Sequence, residues 1–239
     1  MLLLATSTGG ASAADLGNGL SVGGALTLTS DYIYRGVSES DGRTAGQVDL
    51  HLASTSGNFL GVWSSTRYDG LAPYAQYVIE PYLGHRFDLG TSWGATLGAR
   101  ARFLVGGEQE INDDTEELSA SLTYLDIWSV SVTAIPNAVR YWYDRRLSRT
   151  PAYVADTSLQ WLIGNGLFLT GGVGYYYSTG SGTGIERATG YAYGNAGLAY
   201  AYRAWRLDVG YFFAQAAAAR LFPYPTADER VAVTLSWRF

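Results

Sequence analysis

The residues able to do chemistry are few and unevenly chosen. The chain of 239 residues has no cysteine and only two histidines, which removes disulfides, thiolate metal sites and cysteine nucleophiles. His51 and His85 have no partner at zinc-ligand spacing, and no phosphate loop or dinucleotide fingerprint is present. The acidic run from Glu108 to Glu117 lacks the glycine and ligand spacing of a calcium loop, so it reads as a solvated loop. All 16 basic residues are arginines, set against 21 carboxylates. Arginine matters here because its planar fork pairs bidentately with carboxylates and never loses its charge. The mild net charge of −5 argues against nucleic-acid binding.

The spacing of these charges says what carries them. Arg100 and Arg102, Asp49 and His51, and Arg206 and Asp208 are each two residues apart. Period two places each pair on one face of an extended strand. The last nine residues show the pattern most clearly. Val231, Val233, Leu235, Trp237 and Phe239 alternate with Ala232, Thr234, Ser236 and Arg238, giving one apolar and one polar, cationic face. No apolar run approaches the ~18 residues of a transmembrane helix, so a membrane span must be built of strands.

Read in order from Leu20, segments of alternating residues are joined by connections that are short and long in turn, as in a membrane barrel. The first strand is expected from Leu20 to Arg35, with Leu26, Leu28, Tyr32 and Tyr34 outward. Leu60 and Val62 are expected to face lipid in the third strand, and Tyr77, Ile79, Pro81, Leu83 and Phe87 in the fourth. Pro81 should break the ladder and Pro136 should interrupt the seventh strand, while Gly164-Asn-Gly166 reads as a tight turn. Ala216 to Ala219 read as filler, one helical turn within the last loop. The total is about twelve antiparallel strands, with both termini on the periplasmic side of the short turns.

Aromatic residues test this layout, because they should collect at the two interfaces. Trp93, Tyr124, Trp128, Trp161, Tyr202, Trp205, Trp237 and Phe239 fall near the short turns. Tyr34, Tyr77, Phe103, Tyr153, Tyr177, Tyr211 and Phe213 fall near the long loops.

The amino terminus resembles the second half of a secretory signal peptide, with Ala11-x-Ala13 suggesting cleavage after Ala13. The expected organisation is a residual signal over 1–13, a short tail over 14–19 and one barrel domain over 20–239.

Two resemblances sharpen the expectation. The closing Trp-Arg-Phe strand resembles the terminal signal of bacterial outer-membrane barrels, which implies that Val231, Val233, Leu235, Trp237 and Phe239 are read by the barrel-assembly machinery. The stretch Thr29-Ser-Asp-Tyr-Ile-Tyr-Arg-Gly-Val-Ser-Glu-Ser-Asp41 resembles the opening signature of the TorF-type porins of proteobacterial outer membranes. This second resemblance implies an outer-membrane barrel and a channel, and supplies neither a substrate nor catalytic residues.

On this reading the inner face carries Asp31, Arg35, Asp49, His51, Glu80, Arg86, Arg100, Arg102, Glu117, Asp156, Arg206, Asp208, Arg230 and Arg238. About twelve strands leave a narrow lumen, between the filled barrel of eight and the open pore of sixteen. An arginine ladder of Arg35, Arg86, Arg100 and Arg102 facing acids would set a transverse field for small polar solutes. Alternatively the charges pair and plug the lumen, and the long loops contact lipopolysaccharide or partner proteins. No cofactor, metal or enzymatic activity is expected, since neither histidine stands where a hydrolase would need it.

Overall fold

Alternation along each strand closes the chain into a barrel. The computed structural model describes residues 14–68, 76–106, 114–140, 148–180, 187–222 and 229–239. The expected signal peptide, most of the acidic run and residues 141–147 lie outside the described residues. The strands are β1 (Ala14–Gly17), β2 (Leu20–Thr29), β3 (Ile33–Tyr34), β4 (Val37–Ser38), β5 (Ala45–Ser54), β6 (Asn58–Arg67), β7 (Gln76–Asp88) and β8 (Trp93–Val105). They continue with β9 (Thr115–Tyr124), β10 (Trp128–Arg140), β11 (Ser148–Gly164), β12 (Leu167–Ser178), β13 (Thr189–Tyr202), β14 (Trp205–Ala214) and β15 (Arg230–Arg238).

Twelve of these, β2 and β5 to β15, form one antiparallel sheet in sequence order. The sheet closes where β15 pairs with β2, Thr234 opposite Thr29 and Arg238 opposite Ala25. Phe239 extends that seam: Gly24 N–H donates to Phe239 O at 2.9 Å, and Phe239 N–H donates to Gly24 O at 3.1 Å. Closure leaves no unpaired edge in the apolar belt, which a lipid environment requires.

The outer wall is apolar at every strand. Leu28, Leu60, Leu83, Leu118, Val132, Val173 and Val231 are between 56% and 64% exposed. A continuous belt of this kind has no place in water and fits acyl chains. Leu60 and Val62 point out and Trp63 points in, which fixes the phase of β6 as expected. The β7–β8 ladder is interrupted beside Pro81 without a change of register, and β10 shifts register between Ile135 and Ala138, next to Pro136. Asn165 and Gly166 both take positive φ, 48° and 79°, in the two-residue turn between β11 and β12.

Three expectations are corrected. Residues 14–17 are not a tail but β1, which pairs with Val22, Ser21 and Leu20 of β2 and extends the seam beyond Phe239. The first barrel strand ends at Thr29 instead of running to Arg35. The chain then turns inward as the β3–β4 hairpin, so that Tyr32 and Tyr34 face the interior and Tyr34 leaves the outer girdle. The turn is made by Arg35 and Gly36, both at positive φ, 51° and 78°. Arg-Gly thus marks a hairpin turn where an extended strand was expected. Finally, the alanine segment is not filler: it forms a 3-10 turn, Ala216–Arg220, with Ala218 fully buried.

Candidate functional site

The infolded hairpin makes the interior unequal along its length. Toward the long connections the inner wall is packed. Val37 of β4 lies in one apolar cluster with Ile135, Val154, Tyr176, Tyr191, Ala218 and Leu221. Tyr32 lies in a second with Ala45, Trp63 and Val78. Tyr191 Oη donates to Arg35 O at 3.1 Å, tying the hairpin turn to the wall. Toward the short turns the inner wall carries glycines and hydroxyls, Thr96, Gly98, Ser121, Ser131, Thr170 and Gly172, all partly exposed, beside ring and charged groups such as Phe59 and Arg206.

Three ion-pair groups hold the hairpin. At its root, Asp31 accepts from Ser38 Oγ at 2.6 Å, Ser40 Oγ at 2.9 Å and Arg230 Nη1 at 3.1 Å. At its turn, Arg35 Nη2 donates to Glu117 Oε2 at 3.0 Å. Between them Glu39 pairs with Arg67 and, at 3.3 Å, with Arg102. Because Asp31 and Glu117 are almost fully buried, each needs several donors to offset desolvation.

Glu117 is the hub of the cluster. It accepts from Tyr34 Oη at 2.7 Å, from Arg35, and from Arg100 Nε at 3.0 Å. Arg100 also reaches Glu80 at 3.2 Å, and Arg102 lies 3.7 Å from Glu80. The Tyr34 ring is held between two guanidiniums, Arg35 and Arg102, each 4.6 Å from its centroid. Four guanidiniums and three carboxylates from β6, β7, β8, β9 and the hairpin thus meet in one cross-section. A cluster of fixed charges at low dielectric can order polar solutes or close the bore.

The remaining inward residues separate into smaller groups. Asp49 accepts from Tyr82 Oη at 2.8 Å, with His51 Nδ1 at 2.7 Å on its other oxygen. Tyr193 Oη donates to Asp156. Arg206 donates to Asp208 through Nε at 2.9 Å and to Gln160 Oε1 at 2.6 Å. Arg238 stands on the same polar face of β15 as Arg230. Arg86 corrects the expected ladder. It lies at the short-turn end, 3.7 Å from both Asp88 and Asp126, and does not join Arg35, Arg100 and Arg102. Arg35 itself reaches the interior on the hairpin and not on a barrel strand.

Sequence reasoning passed over Glu39, Arg67 and Tyr34. Glu39 lies past Arg35, where the first strand is expected to end, and so falls outside any strand pattern. Arg67 was recoverable, since it lies two and four residues after Ser65 and Trp63, both on the inner face of β6.

The barrel is similar to solved outer-membrane channels. The NanC porin superposes with a TM-score of 0.55 at 10% identity, covering 90% of this chain and 98% of that one. The COG4313 outer membrane channel from Pseudomonas putida F1 gives 0.52 at 12% identity, covering 95% and 100%. The KdgM porin gives 0.50 at 11% identity, covering 91% and 98%. At these identities the likeness is one of fold, a porin-like membrane barrel. No curated protein matches the chain. A family model does match, from residue 13 to residue 222, and the chain therefore belongs to Gcw_chp, a family of bacterial proteins of unknown function.

Proposed function

We propose that the protein is an outer-membrane channel for the passive passage of small polar solutes, with a bore set by the β3–β4 hairpin. The observation that carries this reading is the contrast along the interior. Among the described residues the buried apolar clusters gather where the hairpin lies, and toward the short turns the inner residues, glycines and hydroxyls among them, stay partly exposed. A barrel serving only as scaffold would fill its interior evenly, as eight-stranded barrels do. The likeness of Thr29–Asp41 to TorF-type porins agrees with this proposal. So does the alternation of β15, through which the barrel-assembly machinery would take up the chain, while the long connections would meet lipopolysaccharide.

A second reading, a plugged barrel that acts through its loops, draws on the burial of Tyr176 and Tyr191 against the hairpin. Planar-bilayer recording separates the two. The native chain should give small, steady steps, and replacing residues 31–43 by a short Gly-Ser link should enlarge them several-fold. A native chain silent at every voltage and salt, beside a conducting shortened chain, would establish the plug.

A further inference from the structure

From Tyr82, opposite Arg100, to Phe59 near the short turns, four side chains form a patch on the inner wall of β5, β6 and β7. Phe59 and Tyr82 stand side by side, with ring centroids 6.3 Å apart and planes tilted by 53°. Each ring lies opposite a glycine in the neighbouring strand, Tyr82 opposite Gly61 and Phe59 opposite Gly84. A Cβ on Gly61 would sit 2.6 Å from Tyr82 Oη, and one on Gly84 would overlap the Phe59 ring. The glycines therefore leave the space that both rings occupy, tilted toward one another.

Tyr82 packs on the Tyr32 cluster, but the pair is more exposed than the tyrosines behind the hairpin. Tyr176 and Tyr191 are 3% and 0% exposed and serve as packing. Phe59 and Tyr82 remain partly exposed, and His51, beside them, keeps 28% of its side chain accessible. The rim of the patch is polar: Asp49, itself buried, is held by Tyr82 Oη and His51 Nδ1, and His51 is the more exposed member of the pair.

Two partly exposed ring faces, tilted by 53°, beside a hydrogen-bonding rim suit a ligand of matching form. A pyranose ring offers polarised C–H groups to the negative π face and hydroxyls at its edge. His51, with 28% of its side chain accessible, meets such hydroxyls, and the negative charge of Asp49 behind it repels carboxylated sugars. We propose that Phe59, Tyr82, Asp49 and His51 form a binding subsite for one neutral pyranose ring of a saccharide. The subsite rests on the channel reading for solute access.

The test is calorimetric titration of the full folded chain in detergent with maltotetraose, which requires no conduction. The native chain should bind, and Phe59→Leu combined with Tyr82→Leu should weaken binding at least tenfold. Tyr82→Phe, which keeps the ring and loses the bond to Asp49, should weaken it less. An acidic oligosaccharide of the same length should bind more weakly than maltotetraose. The heat-modifiable migration of a closed barrel checks that each variant is folded. Unchanged affinity in the folded double variant, no binding by the native chain, or tighter binding of the acidic sugar would each overturn the proposal. Bilayer currents keep the two readings apart. A conducting barrel that ignores maltotetraose retains the channel and loses the subsite, whereas a silent barrel that binds it retains the subsite and loses the channel.

Discussion

Replacing Glu117 by alanine removes the acceptor for Tyr34 Oη, for Arg35 and for two nitrogens of Arg100. Arg100 keeps Glu80, at 3.2 Å, but Arg35 loses the carboxylate that holds the hairpin turn to β9. Removing one partner of a buried ion pair costs about 3–5 kcal/mol, because the other charge is left uncompensated. With 1.4 kcal/mol per factor of ten, the ratio of docked to undocked hairpin should fall by roughly two to three and a half powers of ten. The root pairs at Asp31 and Glu39 remain, so the turn should loosen while the barrel stays closed. The absence of native cysteine allows a direct assay. Val37 is 2% exposed at the hairpin, and Val37→Cys should react with a water-soluble thiol reagent only when the hairpin opens. Labelling of Val37→Cys should be at least about a hundredfold faster with Glu117→Ala than without it. Equal labelling rates in the two backgrounds would refute the assignment of Glu117 as the latch.

Other substitutions test the wall and the patch. Val233→Arg, on the outer face, should cost about 2–4 kcal/mol in urea unfolding from phospholipid vesicles, whereas Thr234→Arg, one residue on and opposite Asp208, should cost less than about 1 kcal/mol. Gly61→Ala would place a Cβ 2.6 Å from both Leu50 O and Tyr82 Oη, so it should shift the β5–β6 backbone locally and displace the Tyr82 ring from Asp49, seen as weakened maltotetraose binding. Tyr193→Phe should cost about 1–3 kcal/mol in the same unfolding assay, because Asp156 loses its donor.

The side of the wall on which a residue falls was legible in the sequence because strand periodicity is local. Alternation in β15 placed Val231, Val233, Leu235, Trp237 and Phe239 outward, and the same rule placed Arg100 and Glu117 inward. Closed topology followed as well, since a membrane strand with an apolar face can leave no edge unpaired. The infolding was not legible. Ser30 to Arg35 continues the alternation of a strand, and the Arg35-Gly36 turn is distinguished only by its positive φ. Nor could the sequence say which arginine meets which carboxylate. Arg86 and Arg100 share a polar period on adjacent strands, yet one meets Asp126 at a turn and the other meets Glu117 beside the hairpin. Arg35 and Glu117 are 82 residues apart and Arg230 and Asp31 are 199 apart. Such pairs form only after strand tilt and stagger have set the height of each inner residue, and that height is a property of the closed barrel, absent from any single strand.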